Sequence, residues 1–289
     1  MLANILVTTL VNGAAYAMLA VGFSLIFGVG RIINLAHTAY YMLAGYSIFT
    51  LVRVAGLAYV PAMALSILLV TVVAVLCYKL LIDPMREHET TVLIITIALA
   101  LVFQELMLKY FGGHFRSVPG VAEGSLSILG VQVTRQQAIT CAVLAVILAA
   151  VWLLLHRTRF GLAVRATAQD MEAANLMGMD VSRIATLTAA VSAALSAAAG
   201  ALVAPLNILE PHMWLNPLTI ILAIIVLGGM GSIKGSIYGA AIIALSESLV
   251  IFLIPQGSFL KGAFSLLIMI IVLLIRPEGL FGVALEGER

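Results

Sequence analysis

The sequence carries very little charge for its length. Aspartate, glutamate, lysine and arginine make up only 10% of its 289 residues, whereas soluble domains carry about 25%. Hydrophobic residues make up 63%, and the mean hydropathy is +1.17. A chain with so few charges cannot cover itself with a water-facing surface on every side, so the composition predicts a protein embedded in a lipid bilayer. The net charge of +2 is too small to favour a nucleic-acid partner.

Catalytic and metal-binding patterns are also missing. The sequence contains neither G-x-S-x-G nor H-E-x-x-H. Cys77 and Cys141 each lie alone in an apolar run, which argues against a disulfide framework and a cysteine metal site. The stretch 228–235 fails as a phosphate-binding loop, because Gly235 follows Lys234 where serine or threonine is required. We therefore expect that this chain is not an enzyme and binds no metal or cofactor itself.

Long uncharged runs predict the membrane-spanning segments. A helix needs about 20 apolar residues to cross about 30 Å of hydrocarbon, and in lipid only helices satisfy their own backbone over such a length. The predicted runs are Leu2–Gly30, 32–52, 54–78, 90–110, 136–155, 184–209, Leu215–Gly228, 236–254 and 258–275. The expected fold is an all-α integral membrane protein, a single domain over residues 1–289 with eight or nine transmembrane helices. Because 215–228 is short, eight spans plus a re-entrant segment is the alternative to nine crossings.

The distribution of lysine and arginine predicts the orientation of the spans. If the loop at about 156–183 is cytoplasmic and every run crosses once, ten basic residues lie inside and five outside. This count places the N-terminus outside and the C-terminus inside. In the longest outer loop, the alternating pattern at 127–133 predicts a small hairpin.

The inner loop contains a short segment with helix-start and helix-end signals. Thr167 to Asp170 fits the looser capping pattern of a helix start, and Gly178 fits a left-handed end. These signals predict a helix of two or three turns on the membrane surface, with a semi-apolar stripe of Met171, Ala174 and Met177. Asp180 is expected to begin the next helix. The helix either rests on lipid headgroups or docks a soluble partner, and we favour docking. The residues predicted to couple to that partner are Arg165, Asp170, Glu172, Ala173, Ala174, Met177 and Gly178.

Few polar residues lie inside the predicted spans, and each is a candidate because ionisable groups are costly in lipid. Glu247 has no polar partner in its own helix except serines, so structural and path-lining interpretations are both open. Glu105 precedes Lys109 by one helical turn, which favours a paired charge. For His37, an interior histidine with satisfied hydrogen bonds is favoured over a metal ligand. The candidates for a translocation path are Asn12, Asn34, His37, Gln104, Glu105 and Glu247.

Two stretches resemble breaks in a helix, at 27–37 and 228–235, because glycines and polar residues interrupt apolar runs there. Non-helical backbone at membrane depth occurs only inside protein or beside water, and paired breaks point to a transport site. The alternative interpretation is an ordinary turn, which we favour for 228–235 and leave open for 27–37. The run 189–200 is almost entirely alanine, serine and glycine, which predicts close helix packing at the centre of the bundle.

Several motifs, taken in order, resemble the branched-chain amino acid (Liv-type) permease family of ATP-binding-cassette importers. The motifs are N-G-A-A-Y-A at 12–17, L-A-V-G at 19–22, I-N-L-A-H at 33–37, F-G-L-A-V-R-A at 160–166, G-M-D at 178–180, G-G-M-G-S-I-K-G at 228–235 and R-P-E-G-L-F-G at 276–282. One departure is that the wider importer motif continues to Ile-x-Leu-Pro after the glycine, whereas residues 182–187 contain no proline.

The resemblance implies a multi-pass permease in a bacterial inner membrane. It would associate with two cytoplasmic ATPase subunits that hold ATP and magnesium, a second permease subunit, identical or homologous, and a periplasmic substrate-binding protein. The helix ending at Gly178 would seat in a cleft on the ATPase. The solute would be a branched-chain or other hydrophobic amino acid, or a related small amide or acid.

Two other functions are weighed against this one. An ion-coupled secondary transporter would relay protons through Glu105, Glu247 and His37, with substrate held at the glycine-rich breaks. A membrane enzyme using His37 and Glu247 has no motif to support it, because catalysis needs a defined constellation of groups.

Overall fold

The computed structural model describes residues 2–122, 124–128, 131–276 and 278–282. Within these ranges the chain is almost entirely helical, with one short antiparallel hairpin. The elements are α1 (Leu2–Gly30), α2 (His37–Phe49), α3 (Tyr59–Cys77), α4 (Glu89–Phe111), β1 (Ser125–Ile128), β2 (Val131–Thr134), α5 (Arg135–Arg157), α6 (Arg159–Gln169), α7 (Met171–Leu176), α8 (Val181–Val203), α9 (Leu215–Gly228), α10 (Ile233–Leu253) and α11 (Gly257–Ile275). Wider π turns extend α2 over Thr50–Val54 and α3 over Tyr78–Ile82.

The predicted all-α membrane fold is confirmed. Among the described residues, seven helices are long and apolar enough to cross a bilayer, namely α1, α3 with its extension to Met85, α4, α5, α8, α10 and α11. The shorter helices α2 and α9 account for the two remaining predicted runs. The predicted hairpin is also present, with Ser125 opposite Thr134 and Leu126 opposite Val133.

Helix α8 forms the centre of the bundle. It contacts α1, α2 and α3, and most of its length is buried, whereas α3, α4, α5 and α11 leave most of their apolar side chains on the outside. Its small residues allow this approach: a methyl group built on Gly200 would overlap the backbone carbonyl of Tyr41 in α2. The predicted central role of the 189–200 run in packing is therefore confirmed.

The two ends of the bundle are distinguished by their loops. At one end, the last turn of α1 lies close to the turn between α9 and α10 and to α6. A methyl group built on Gly28 would lie 3.7 Å from the Gly231 carbonyl oxygen and 3.8 Å from the Ala168 methyl carbon. This end also carries α6 and α7, and we call it the α7 end. At the opposite end, which we call the hairpin end, Arg116 and Leu209 exchange two backbone hydrogen bonds of 3.1 and 2.9 Å.

Helix α2 begins inside the bundle rather than at its surface. Its first residue, His37, lies against the backbone of Leu19, about three turns or about 16 Å before the end of α1. Residues 31–36 therefore run back from the α7 end into the bundle without forming a helix. Of the two interpretations left open for 27–37, the structure shows the break, and the predicted run 32–52 is wrong at its start because the helix begins only at His37.

A second non-helical stretch, at 204–214, enters from the hairpin end. At its last residue, the Trp214 indole nitrogen donates to Gln104 Oε1 at 2.9 Å. Gln104 lies about two turns, or about 10 Å, before the end of α4. Helix α9 is therefore a half-helix that begins within the bundle and ends at the α7 end. At 228–235 the favoured interpretation, an ordinary turn, is confirmed, since only four residues separate α9 from α10 and they form a turn.

The C-terminal motif folds back onto this turn. The Leu280 and Phe281 amides donate to the carbonyls of Leu227 and Gly228 at 2.8 and 3.0 Å. They thus satisfy two of the carbonyls that the end of α9 leaves without helical partners. Gly279 has φ of +76°, and a side chain there would overlap Gly229 and the Val226 carbonyl. Residues 278–282 therefore act as a strap that fixes the end of α9 to the rest of the bundle.

Replacement of Gly279 should weaken this strap. We expect Gly279→Ala to lower the melting temperature of the purified protein, because the left-handed backbone alone costs an alanine about 1–2 kcal/mol and the methyl group also meets backbone. Gly262→Ala in α11 is the matched control, since a methyl group there meets nothing within 4 Å. Thermal unfolding in detergent measures both, and equal melting temperatures for the two variants would contradict the strap.

Candidate coupling and translocation sites

Helix α7 is set off from its neighbours by Asp170 and Gly178. The Asp170 amide donates to the Ala166 carbonyl at the end of α6, and its side chain accepts from the Ala173 amide at 2.9 Å as the N-cap of α7. At the other end, Gly178 and Met179 donate to the carbonyls of Asn175 and Ala174, with Gly178 at φ +81°. This is a Schellman end, as the glycine predicted.

Two expectations about this helix are wrong. It spans the six residues Met171–Leu176 rather than two or three turns, because Thr167 is buried within α6 and Asp170 supplies the cap. The semi-apolar stripe is also not formed, since Ala174 is buried while Met177 is 81% exposed. A residue that the sequence did not single out, Leu176, is 87% exposed. Helix α7 thus presents Leu176 and Met177 beside the exposed acids Asp170 and Glu172.

The remaining coupling candidates hold the loop in place or lie on its surface. The Arg165 guanidinium donates to the Leu155 carbonyl and so ties α6 to the end of α5. Ala173 is exposed next to Glu172. Asp180 accepts from the Arg183 amide at 2.9 Å and caps the start of α8, as predicted. Helix α7 is therefore fixed on one side to α5 through α6 and leads on the other into α8.

His37 is fully engaged at the start of α2. Its Nε2 donates to the Leu19 carbonyl at 3.0 Å, so Nε2 carries the proton and Nδ1 accepts from the Ser192 hydroxyl at 3.3 Å. The Ser196 hydroxyl donates to the His37 carbonyl at 2.6 Å. Asn34 is also buried, and its Oδ1 accepts from the Ala36 amide at 3.1 Å. These bonds join α1, α2 and α8 where α2 begins, and they support the interpretation of His37 as a satisfied interior histidine.

Glu247 is fully buried and accepts hydrogen bonds from two other helices. The Tyr16 hydroxyl of α1 donates to one carboxylate oxygen at 2.8 Å, and the Ser265 hydroxyl of α11 donates to the other at 3.0 Å. Asn12 lies one turn before Tyr16 and is partly buried. The carboxylate thus holds α1, α10 and α11 together. The sequence indicates that Tyr16 could bond across helices but does not identify Glu247 as its partner, and it gives no signal for Ser265, because neither donor lies on the same helix as Glu247.

Gln104 and Glu105 lie near the hairpin end. Gln104 is buried, accepts from Trp214 and donates to Glu105 Oε1 at 3.3 Å. Glu105 is exposed on the outside of α4. Its predicted pair with Lys109 is wrong: in the part of the chain that the structure describes, the one ion pair within 4.0 Å joins Arg86 and Asp83. The neighbouring Gln104 amide takes the place of the ammonium.

The structure does not bring the path candidates into one site. His37 and Asn34 join α1, α2 and α8, Glu247 joins α1, α10 and α11, and Gln104 joins α4 to the start of α9. No hydrogen-bonded chain connects these groups within the described ranges. His37, Glu247 and Gln104 each hydrogen-bond across a junction between helices, and a role of the six candidates in a translocation path stays a prediction.

Removing one donor to Glu247 tests this structural role. We expect Tyr16→Phe to lower the stability of the protein by about 1–3 kcal/mol, because it leaves a buried carboxylate oxygen without its partner. Tyr110→Phe is the matched control, since Tyr110 is 73% exposed. Thermal unfolding in detergent gives the comparison, and a Tyr16→Phe protein as stable as the control would contradict the role assigned to this bond.

Comparisons with known proteins place these features in one family. The chain matches the family described as the permease component of the branched-chain amino acid transport system over residues 5–273. It is 28% identical to the high-affinity branched-chain amino acid transport system permease protein BraD of Pseudomonas aeruginosa, with 96% of this chain and 94% of the relative covered. It is 25% identical to the corresponding LivH protein of Salmonella typhimurium, with 93% and 92% covered.

A solved structure shares the fold. The chain superimposes on a chain of PsaBC from Streptococcus pneumoniae, solved in complex with Fab, with a TM-score of 0.53 and 16% identity over 95% of this chain and 92% of that one. At this identity the likeness concerns the fold alone. The family match covers nearly the whole chain, and it includes six of the seven motifs that carry the resemblance. The chain belongs to the family of branched-chain amino acid transport system permease components.

Proposed function

We propose that this chain is the membrane permease subunit of an ATP-driven importer for branched-chain or other hydrophobic amino acids. ATP and magnesium would be held by two separate ATPase subunits, and one of them would seat on α7. The observation that carries the proposal is α7 itself, a short helix capped at both ends that presents Leu176 and Met177 to solvent. Two adjacent apolar side chains left exposed in a loop favour a surface that another protein covers.

The attachments at both ends of α7 provide a route by which a displacement of α7 would be transmitted to the membrane-spanning helices. Ala174 packs α7 against the bundle, and Asp180 begins α8 four residues after Leu176 ends α7. Helix α8 in turn holds the start of the half-helix α2 through Ser192 and Ser196. A displacement of α7 would therefore act on α8 and, through His37, on the first break, where residues 31–36 run from the α7 end into the bundle.

The proposal includes an orientation and a set of partners. The α7 end would face the cytoplasm of a bacterial inner membrane, with the N-terminus outside and the C-terminus inside. This orientation agrees with the ten basic residues that the charge count assigns to the inside. A second permease subunit would complete the membrane part, and a periplasmic binding protein would deliver substrate at the hairpin end. Because recognition then occurs on the binding protein, the permease itself needs only weak contacts with its solute.

Substitutions in α7 test the coupling. We expect Glu172→Lys and Gly178→Leu to reduce substrate uptake by the assembled transporter at least about tenfold while ATP hydrolysis continues, because the first reverses a charge on the contact and the second strains the left-handed end. Uptake into proteoliposomes and phosphate release are measured on the same preparation. Normal uptake in both variants would refute the assignment of α7.

The apolar pair should determine whether the ATPase binds. We expect Leu176→Ser with Met177→Ser to lower the amount of ATPase that co-purifies with the permease, since exposed apolar side chains of this kind anchor interfaces. Phe259→Ser is the matched control, because Phe259 is 88% exposed but lies at the hairpin end. If both variants retained the same amount of ATPase, Leu176 and Met177 would not form the contact.

The alternative of an ion-coupled transporter makes a different prediction. Here His37 and Glu247 are buried and hydrogen-bonded, and Glu105 lies on the outside of the bundle, so no observation favours a proton relay. Uptake in whole cells should stop when ATP is depleted and should continue when a protonophore removes the proton gradient with ATP maintained. The reverse pattern would overturn the proposed function.

A further inference from the structure

A cavity opens at the α7 end, beside residues 31–33, where the first break begins. Its volume is about 490 Å³, which lies within the range of about 300–1,000 Å³ typical of small-molecule sites. It lies between the end of α1, the non-helical residues 31–36 and the start of α4. The apolar residues that line it are Phe27, Ile32, Ile33, Val92, Leu93 and Met230.

Charged residues of both signs complete the lining. Two are arginines, Arg31 and Arg86, of which Arg86 also lies 3.7 Å from the Asp83 carboxylate, and the third is Glu89. Guanidinium groups bind carboxylates through paired, charge-assisted hydrogen bonds, and a carboxylate binds an ammonium group in the same way. A ligand that satisfies this lining carries one carboxylate, one ammonium group and an apolar side chain. That is the chemistry of a hydrophobic α-amino acid in its zwitterionic form.

The backbone of Arg31 gives an independent reason to regard the cavity as a site. Arg31 adopts φ of +53°, one of two non-glycine residues with positive φ among those described. It ends α1, with its amide donating to the Phe27 carbonyl at 2.9 Å, a position that glycine fills at lowest cost. Strained residues of this kind are concentrated at functional sites. Here the side chain that the strained position presents is one of the two guanidinium groups of the cavity.

We infer that this cavity binds a hydrophobic α-amino acid at the α7 end, with its carboxylate on Arg31 and Arg86 and its ammonium group on Glu89. The inference rests on the proposed function, which makes such an amino acid the imported solute and the α7 end the side of release. The site also touches residues 31–36, the link between α1 and the half-helix α2. An amino acid bound here therefore contacts the segment through which α2 is connected to the rest of the bundle.

Binding to the isolated full-length permease tests the site without any ATPase. The probe is L-leucine, detected by saturation-transfer NMR on protein in phosphatidylcholine nanodiscs. Two analogues of leucine test the two charged contacts separately: 4-methylpentanoate lacks the ammonium group, and 3-methylbutan-1-amine lacks the carboxylate. We expect saturable binding of leucine and at least about tenfold weaker binding of each analogue, since each loses a charge-assisted contact.

Variants assign each contact to a residue. Glu89→Gln should weaken leucine binding about tenfold and leave 4-methylpentanoate unchanged, because that analogue has no ammonium group to lose. Arg31→Gln with Arg86→Gln should weaken both ligands. The matched control is Lys79→Gln with Arg183→Gln, at a second cavity of about 550 Å³ at the same end, and it should bind leucine as the unmodified protein does.

Three results would overturn the inference. They are the absence of saturable leucine binding, binding of 4-methylpentanoate as tight as that of leucine, and equal leucine affinity in the Glu89 and control variants. A phospholipid headgroup carries similar charges, so native mass spectrometry is run in parallel. A phospholipid retained by the unmodified protein and lost in the arginine variant, with no leucine signal, would assign the cavity to lipid instead.

Failure of this site and failure of the proposed function are distinguishable. If the unmodified permease bound no leucine while the assembled complex still carried out ATP-driven uptake, only the site would be contradicted. Absence of ATP-driven uptake in the assembled complex would contradict the proposed function, whatever the isolated chain binds.

Discussion

The helical fold, and the way its breaks are filled, follow from the need to pair backbone N–H and C=O groups inside a bilayer. A continuous helix meets that need by itself, but a chain that leaves the helix within the membrane must find other partners. At the first break, the Asn34 side chain accepts from the backbone and Ser196 donates to the carbonyl of His37. At the end of α9, the partners come from the C-terminal strap. The positions of the breaks thus determine where polar side chains have to be buried.

This requirement accounts for the buried polar groups, which lie at separate junctions between helices. His37, Glu247 and Gln104 were singled out because ionisable or amide groups are costly in lipid, and the structure shows that each one joins helices that are distant in sequence. The cost of burial is offset by hydrogen bonds between helices. Charged side chains such as those of Arg31, Glu89 and Glu105 lie instead exposed, at the ends or on the outside of the bundle.

Much of the fold could be predicted from the sequence, because hydrophobic runs and capping residues act locally. The spans, the first break, Asp180 as a helix cap and Gly178 as a left-handed end are all encoded within a few residues. The second break was missed because 204–214 lacks the glycines that marked the first one, while the glycines at 228–235 serve close backbone packing at a turn. The donors to Glu247 and the cavity beside Arg31 depend on which helices become neighbours, and no local pattern determines that.

Helix α2 carries a free-energy cost in this arrangement, because it buries polar groups that have no hydrogen-bond partner in the described part of the chain. Within the described residues, the hydroxyl groups of Thr38, Tyr40 and Tyr46 are buried without a hydrogen-bond partner, and all three belong to α2. Each such group costs about 1–3 kcal/mol relative to a paired one. A coupled transporter needs an element with two arrangements of similar free energy, since a partner can shift the equilibrium only by its differential affinity for them. Unpaired groups on α2 reduce its preference for the present arrangement, and α8, to which α7 is joined, holds its starting residue. Among the described residues, the helix whose first residue α8 holds thus also buries three hydroxyl groups that have no hydrogen bond in the present arrangement.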